Sequence, residues 1–138
     1  MRYRFIEHTA DIAMEIYGKT VEELLRNATL AFRDAFIFPE KLEEKETRKI
    51  ELKMEEDSVK AVEYLLYDWM NELLYLFDAE HFGVVDAEVK INGKNVIGKL
   101  TGGKLKDEAV KVEPKAITLH KFKVDKNDYY KAFLIIDI

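Results

Sequence analysis

The stretch from Ser58 to Phe77, SVKAVEYLLYDWMNELLYLF, decides the fold class. Ser58 has the side chain of a helix N-cap, and Val62, Leu65, Leu66, Trp69, Met70, Leu73, Leu74, Leu76 and Phe77 recur at helical spacing, which predicts a helix with a wide apolar face. So broad a face suits a central helix packed against a sheet. The residues after it supply that sheet: Val84 to Ile91 and Asn95 to Leu100 alternate on either side of Asn92-Gly93, a dipeptide that favours a hairpin. Hairpin neighbours pair antiparallel.

Working outward, Thr20 is a second N-cap, with Glu23 at the spacing of a capping box. Leu24, Leu25, Ala28, Ala31, Phe32 and Ala35 give that helix one apolar face, and Pro39 stops it. Arg2 to Ile6, Ile12 to Tyr17 and Thr47 to Met54 alternate as strands, with a charged connection from Glu40 to Lys45. Downstream, Thr101 to Glu108 reads as a polar loop, Val110 to Val124 as one long strand pinned by Pro114, and Tyr129 to Asp137 as the last strand. The order β-β-α-β-α-β-β-β-β predicts an α+β fold, one domain over residues 1–138, with two helices on antiparallel or mixed β-sheet.

Composition narrows the function. At 138 residues, 48% hydrophobic and 36% charged, the chain fits one folded soluble domain with a real core. It contains no apolar run of bilayer length and no secretory signal pattern, so the expected address is cytoplasmic and no membrane partner is expected. With no cysteine, any metal must be held by oxygens or by His8, His81 and His120. The Asn27-Ala28-Thr29 sequon has no meaning without secretion. A net charge of −5 argues against DNA or RNA binding over the whole surface, and a role near RNA would run through a protein partner. Abundant Lys and Glu without Cys lean toward a thermophilic source.

The chemistry concentrates at the two ends. Phe5-Ile6-Glu7-His8-Thr9-Ala10-Asp11 sets an imidazole and a carboxylate where the strand pattern breaks. Two readings stand side by side: a turn held by local hydrogen bonds, or a bend converging side chains into a metal or proton-transfer site. Phe133 to Ile138 reads as a buried strand ending in a carboxylate, Asp137, whose burial requires positive compensation. Asp11, Asp137 and a terminal carboxylate on Ile138 would make an all-oxygen site preferring Ca²⁺ or Mg²⁺ to zinc.

His8-Thr9-Ala10-Asp11, the helix segment Leu66 to Leu74, Pro114-Lys115-Ala116-Ile117-Thr118-Leu119-His120, and an end on Asp137 and one aliphatic residue together resemble the archease family. These motifs span nearly the whole chain in the family's order. The resemblance implies a non-enzymatic accessory protein that promotes the guanylylation and turnover of the tRNA-splicing RNA ligase and broadens its nucleotide use. The ligase is then the protein partner, and RNA is met through it. It also implies divalent metal binding by Asp11, Asp137 and Ile138, with Ca²⁺ first and Mg²⁺ or Mn²⁺ as alternatives, and puts His8, Lys115 and His120 nearby. Two features depart from the family: the loop 101–108 lacks the histidine usual there, and Pro114 stands where a β-branched residue is common.

Other patterns have plainer readings. Gly98 to Lys104 has the spacing of a phosphate-binding loop, but Leu105 replaces the Ser or Thr and no helix follows. Lys90, Lys94, Lys99, Lys104 and Lys106 form either a basic edge or a solubilising hairpin. Tyr64, Asp68, Asn71, Tyr75 and Asp78 share one helix face and read first as half-buried support, second as a docking stripe. Asp68 and Glu72, four apart, read as solvated carboxylates. The rival functions are an independent metal-dependent phosphoester hydrolase using Asp11, Asp137 and a water activated by His8, and a chaperone or RNA-binding module using the lysine hairpin.

Overall fold

A computed structural model describes residues 1–6 and 11–138. Among these, the strands are β1 (Tyr3–Ile6), β2 (Asp11–Gly18), β3 (Glu43–Lys53), β4 (Phe82–Asn92), β5 (Asn95–Lys104), β6 (Ala116–Ile117), β7 (Lys123–Lys126) and β8 (Tyr130–Asp137). The helices are α1 (Val21–Phe36) and α2 (Val59–Asp78). They cap as their sequences direct: the Thr20 hydroxyl accepts from Glu23 N at 3.1 Å, and the Ser58 hydroxyl from Ala61 N at 3.1 Å. The Glu23 carboxylate accepts from Lys19 N, one residue before the cap, in a variant of the capping box.

The strands form two antiparallel sheets, one ordered β1-β2-β8-β6 with β7 on the same edge of β8, the other β3-β5-β4. Both helices pack against both sheets and against each other, so the core lies where helices and sheets meet. Trp69 sits in it fully buried, and its indole Nε1 donates to the Thr29 hydroxyl at 3.0 Å, which donates to the Leu25 carbonyl at 2.9 Å. This chain of hydrogen bonds ties α2 to α1 without leaving a buried polar group orphaned. Asn27 is also buried, its amide donating to the Tyr17 carbonyl at 2.7 Å, so the sequon faces the interior.

The α+β class stands as expected, and the local departures have identifiable causes. Residues 110–124 do not form one strand: β6 and β7 pair with successive parts of β8, and the chain steps out between them through Lys121 at φ 59°. Five strands therefore follow α2 where the sequence pattern predicts four. The polar stretch after Leu100 is strand as far as Lys104, because Gly102 and Gly103 permit backbone approach rather than a loop. A Cβ on Gly102 would lie 1.9 Å from the Gly83 carbonyl oxygen. The charged connection before Thr47 is the start of the edge strand β3, whose run of Lys and Glu guards an open edge. At the hairpin, Gly93 (φ 64°) and Lys94 are the loop, and Asn92 pairs with Asn95.

Gly98 on β5 faces the Trp69 ring, and a Cβ at this position would lie only 2.3 Å from the indole edge. Gly98→Ala is expected to destabilise the protein by about 1–3 kcal/mol through overpacking, measured by urea denaturation.

Candidate functional site

β2 and β8 are central neighbours, and their register sets Asp11 directly opposite Asp137. Alternation explains which face they share. Met14, Ile16, Leu134 and Ile136 enter the core, so Asp11, Ala13, Glu15 and Tyr17 on β2 take the outer face with Lys131, Phe133, Ile135 and Asp137 on β8. The two carboxylates therefore project from the same face at the same level. Asp11 is half-buried and Asp137 exposed.

That exposure corrects one expectation. The final strand is buried through Ile136 only, and Asp137 reaches solvent because it stands on the outer face at the sheet's end. Desolvation therefore does not call for a compensating cation at Asp137. Like charges directly opposed on neighbouring strands repel, and a cation between them would turn that cost into binding energy.

The neighbouring positions follow from the same register. Ala116 on β6 pairs with Asp137 from its other side, and Lys115 N donates to the Asp137 carbonyl at 2.8 Å, which brings exposed Lys115 beside the pair. Ile138 follows directly and is 37% exposed. His120 lies on the excursion between β6 and β7, exposed and displaced along β8, since Thr118 N already bonds to the Ile135 carbonyl. It is not brought against the two aspartates by any contact among the described residues. His8, and the bend expected around it, fall outside the described residues.

Among the described residues no three His, Cys, Asp or Glu side chains stand close enough together to hold a metal by themselves. Two facing carboxylates next to main-chain oxygens at a strand end are a donor set of the hard, all-oxygen kind, which fits Ca²⁺ or Mg²⁺ and not a thiolate- or imidazole-preferring metal.

Residues 3–138 match the Archease protein family. The chain belongs to the archease family. It is 51% identical to the protein archease of Archaeoglobus fulgidus over the full length of both chains. The protein archease of Pyrococcus abyssi is 37% identical, with 99% of each chain covered. Among solved structures, Methanobacterium thermoautotrophicum protein 1598 superposes with a TM-score of 0.75 at 28% identity, covering 99% of this chain and 98% of that one. A Thermotoga maritima archease, described as a possible chaperone, gives a TM-score of 0.58 at 26% identity, with 100% and 98% covered.

The outer face of this archease-family sheet carries a second polar group that sequence reasoning missed. Glu15 accepts from Arg4, from the Tyr17 hydroxyl at 3.0 Å and from Lys131 at 3.2 Å. The Arg4 guanidinium above all, then Lys131 and Tyr17, outweigh burial and hold the Glu15 carboxyl down at about 2. Arg4, Glu15 and Lys131 sit at ordinary alternating positions, and only the order β1-β2-β8 unites them.

Because folding lowers the Glu15 value, its contribution is whole above the ordinary carboxylate range and fades as the pH falls through about 2. Glu15→Gln is expected to melt lower than the parent at pH 7, with the gap closing between about pH 5 and pH 2. Thermal melts across that range check it.

The remaining candidates resolve plainly. Gly98 to Lys104 is extended strand within β5, which cannot wrap a phosphate. On the same sheet Lys49 pairs with Glu51, Lys90 with Glu88 at 3.5 Å, and Lys106 with Glu43 at 2.7 Å, a mixed charged surface rather than a basic patch. Asp68 is exposed and Glu72 half-buried on α2, as solvated helix carboxylates. No helix of the described residues is long and apolar enough to cross a membrane.

Proposed function

We propose that this archease-family chain is a cytoplasmic accessory protein of the tRNA-splicing RNA ligase, promoting the ligase's guanylylation and multiple turnover, and that it holds a divalent cation at the junction of β2 and β8. The observation that carries this reading is the register placing Asp11 opposite Asp137 on one face. Family membership over residues 3–138 supports the role.

In this reading Asp11 and Asp137 are the charged ligands, with main-chain oxygen at Ile138 completing their side of the shell. Ca²⁺ is the first choice, and Mg²⁺ or Mn²⁺ can use the same oxygens. When bound, the cation would supply fixed positive charge for phosphate oxygens at the end of the β2–β8 pair. The chain's own residues do the rest: the β2–β8 pairing fixes both carboxylates, and the Lys115 N–H holds the main chain of Asp137 through its carbonyl. His8, Lys115 and His120 are the groups for support around the cation or for contact with the partner.

The test is reconstitution with purified ligase. Wild-type protein is expected to accelerate formation of the guanylylated ligase, and Asp11→Ala and Asp137→Ala to abolish the acceleration while the ligase's basal rate stays unchanged. Full stimulation by both variants would refute the metal's part in the mechanism. The Thermotoga maritima archease, as a possible chaperone, favours a second reading. A chaperone would raise the yield of folded ligase without changing the rate of ligase already folded.

A further inference from the structure

One face of α2 is left uncovered. Tyr64, Asp68, Asn71, Tyr75 and Asp78 follow one another at steps of four and three, forming a single stripe along roughly 21 Å of helix. Half-buried support does not describe it: Tyr64 is 62% and Tyr75 54% exposed, whereas Tyr67 packs edge-on against Phe122. From Ala61 to Asp78 the helix carries no Lys or Arg, and Asp68, Glu72 and Asp78 enter no ion pair among the described residues. Asp78 stands in the last turn, where the helix dipole disfavours a carboxylate and no basic residue offsets it.

At the same end the helix borders a recess of about 310 Å³. Phe77 and Leu105 give it apolar wall, Asp78, Asp107 and Glu113 bring three carboxylates, and His81 also lines it. A side chain with an aliphatic stem and a cationic head matches both halves. Phosphate does not, because the stripe would repel it.

We propose that the outer face of α2 is the docking surface for a basic segment of a partner protein, with Tyr64 and Tyr75 as contact anchors and an arginine or lysine of the partner seated in the recess beside Asp78. The flank beside the stripe is covered by this chain: Phe122 packs on Tyr67 and Val124 N donates to Glu63. The identity of that partner as the ligase rests on the proposed function.

The experiment measures affinity for purified ligase by biolayer interferometry at several salt concentrations, using the full chain, Tyr64→Ser/Tyr75→Ser and Asp68→Lys/Asp78→Lys. All the changed side chains are exposed or on the helix surface, and thermal melts would verify that the variants fold. Each double variant is expected to bind roughly tenfold or more weakly, and wild-type affinity to fall with salt. Both variants binding like wild type would overturn the proposal, as would loss of RNA binding rather than ligase binding, which would make the face a nucleic-acid surface. Wild-type protein that fails to bind the ligase overturns both this inference and the proposed function. Wild-type protein that docks through the stripe yet leaves guanylylation unchanged contradicts the proposed function alone.

Discussion

Trp69→Ala is expected to lower the stability of the protein by about 3–5 kcal/mol, a large part of what a domain of this size possesses. The indole is fully buried, fills the space left by Gly98 on β5 and bonds across to Thr29 on α1, so its removal opens a cavity at the meeting point of both helices and one sheet. Trp69→Phe separates the two effects. It retains much of the packing but loses the N–H, and is expected to cost about half as much or less. In a double-mutant cycle with Thr29→Val the shared hydrogen bond should appear as a coupling of about 1 kcal/mol. Urea denaturation of the four proteins gives each value. A loss below about 1 kcal/mol for Trp69→Ala would mean that the helices are not joined through this residue.

The same residue shows how much of the fold is legible in the sequence. Trp69 belongs to a long run at helical spacing, and so strong a period survives in any tertiary context, as do the Thr20 and Ser58 caps, whose chemistry is local. Strand limits are less legible. Gly102 and Gly103 look like loop residues by composition, yet they serve a strand because the Gly83 carbonyl approaches where any Cβ would clash. Val110 to Val124 reads as one strand, but Lys121 turns the chain outward between two short pairings with β8. Alternation says nothing about such a step.

At the site, the meeting of the two ends is legible because Asp11 and Asp137 each mark where a strand pattern stops. Burial does not single out Asp137, since it is exposed; the register that sets Asp11 opposite it does. The exposure of Tyr64 and Tyr75 is hidden for a similar reason: a helical stripe can be assigned a face from sequence, but whether another element covers that face depends on the packing of sheets far along the chain. The Arg4–Glu15–Lys131 group is out of reach altogether, because it spans three strands whose order the sequence does not state.

The second large effect concerns the aspartate pair, and it has an unusual sign. Without metal, Asp137→Asn is expected to be as stable as the parent or up to about 1 kcal/mol more stable, because it removes a like charge opposite Asp11. With Ca²⁺ the order reverses. A ligand at a hundred times its dissociation constant stabilises the native state by about 2.7 kcal/mol, and only the parent should receive that gain. Residues that merely supported the β2–β8 pairing would behave oppositely, with loss of stability on substitution whether or not Ca²⁺ is present. Chelation with EDTA should return the parent to its metal-free melting temperature.

The most direct measurement is calorimetric titration of the metal-free protein with Ca²⁺, alongside Asp11→Ala and Asp137→Ala. A single site is predicted for the parent, with affinity reduced by roughly a hundredfold or more in each variant. Ca²⁺ binding of equal strength in all three proteins, or none in the parent under the same conditions with Mg²⁺ and Mn²⁺ also silent, would contradict a cation site between Asp11 and Asp137.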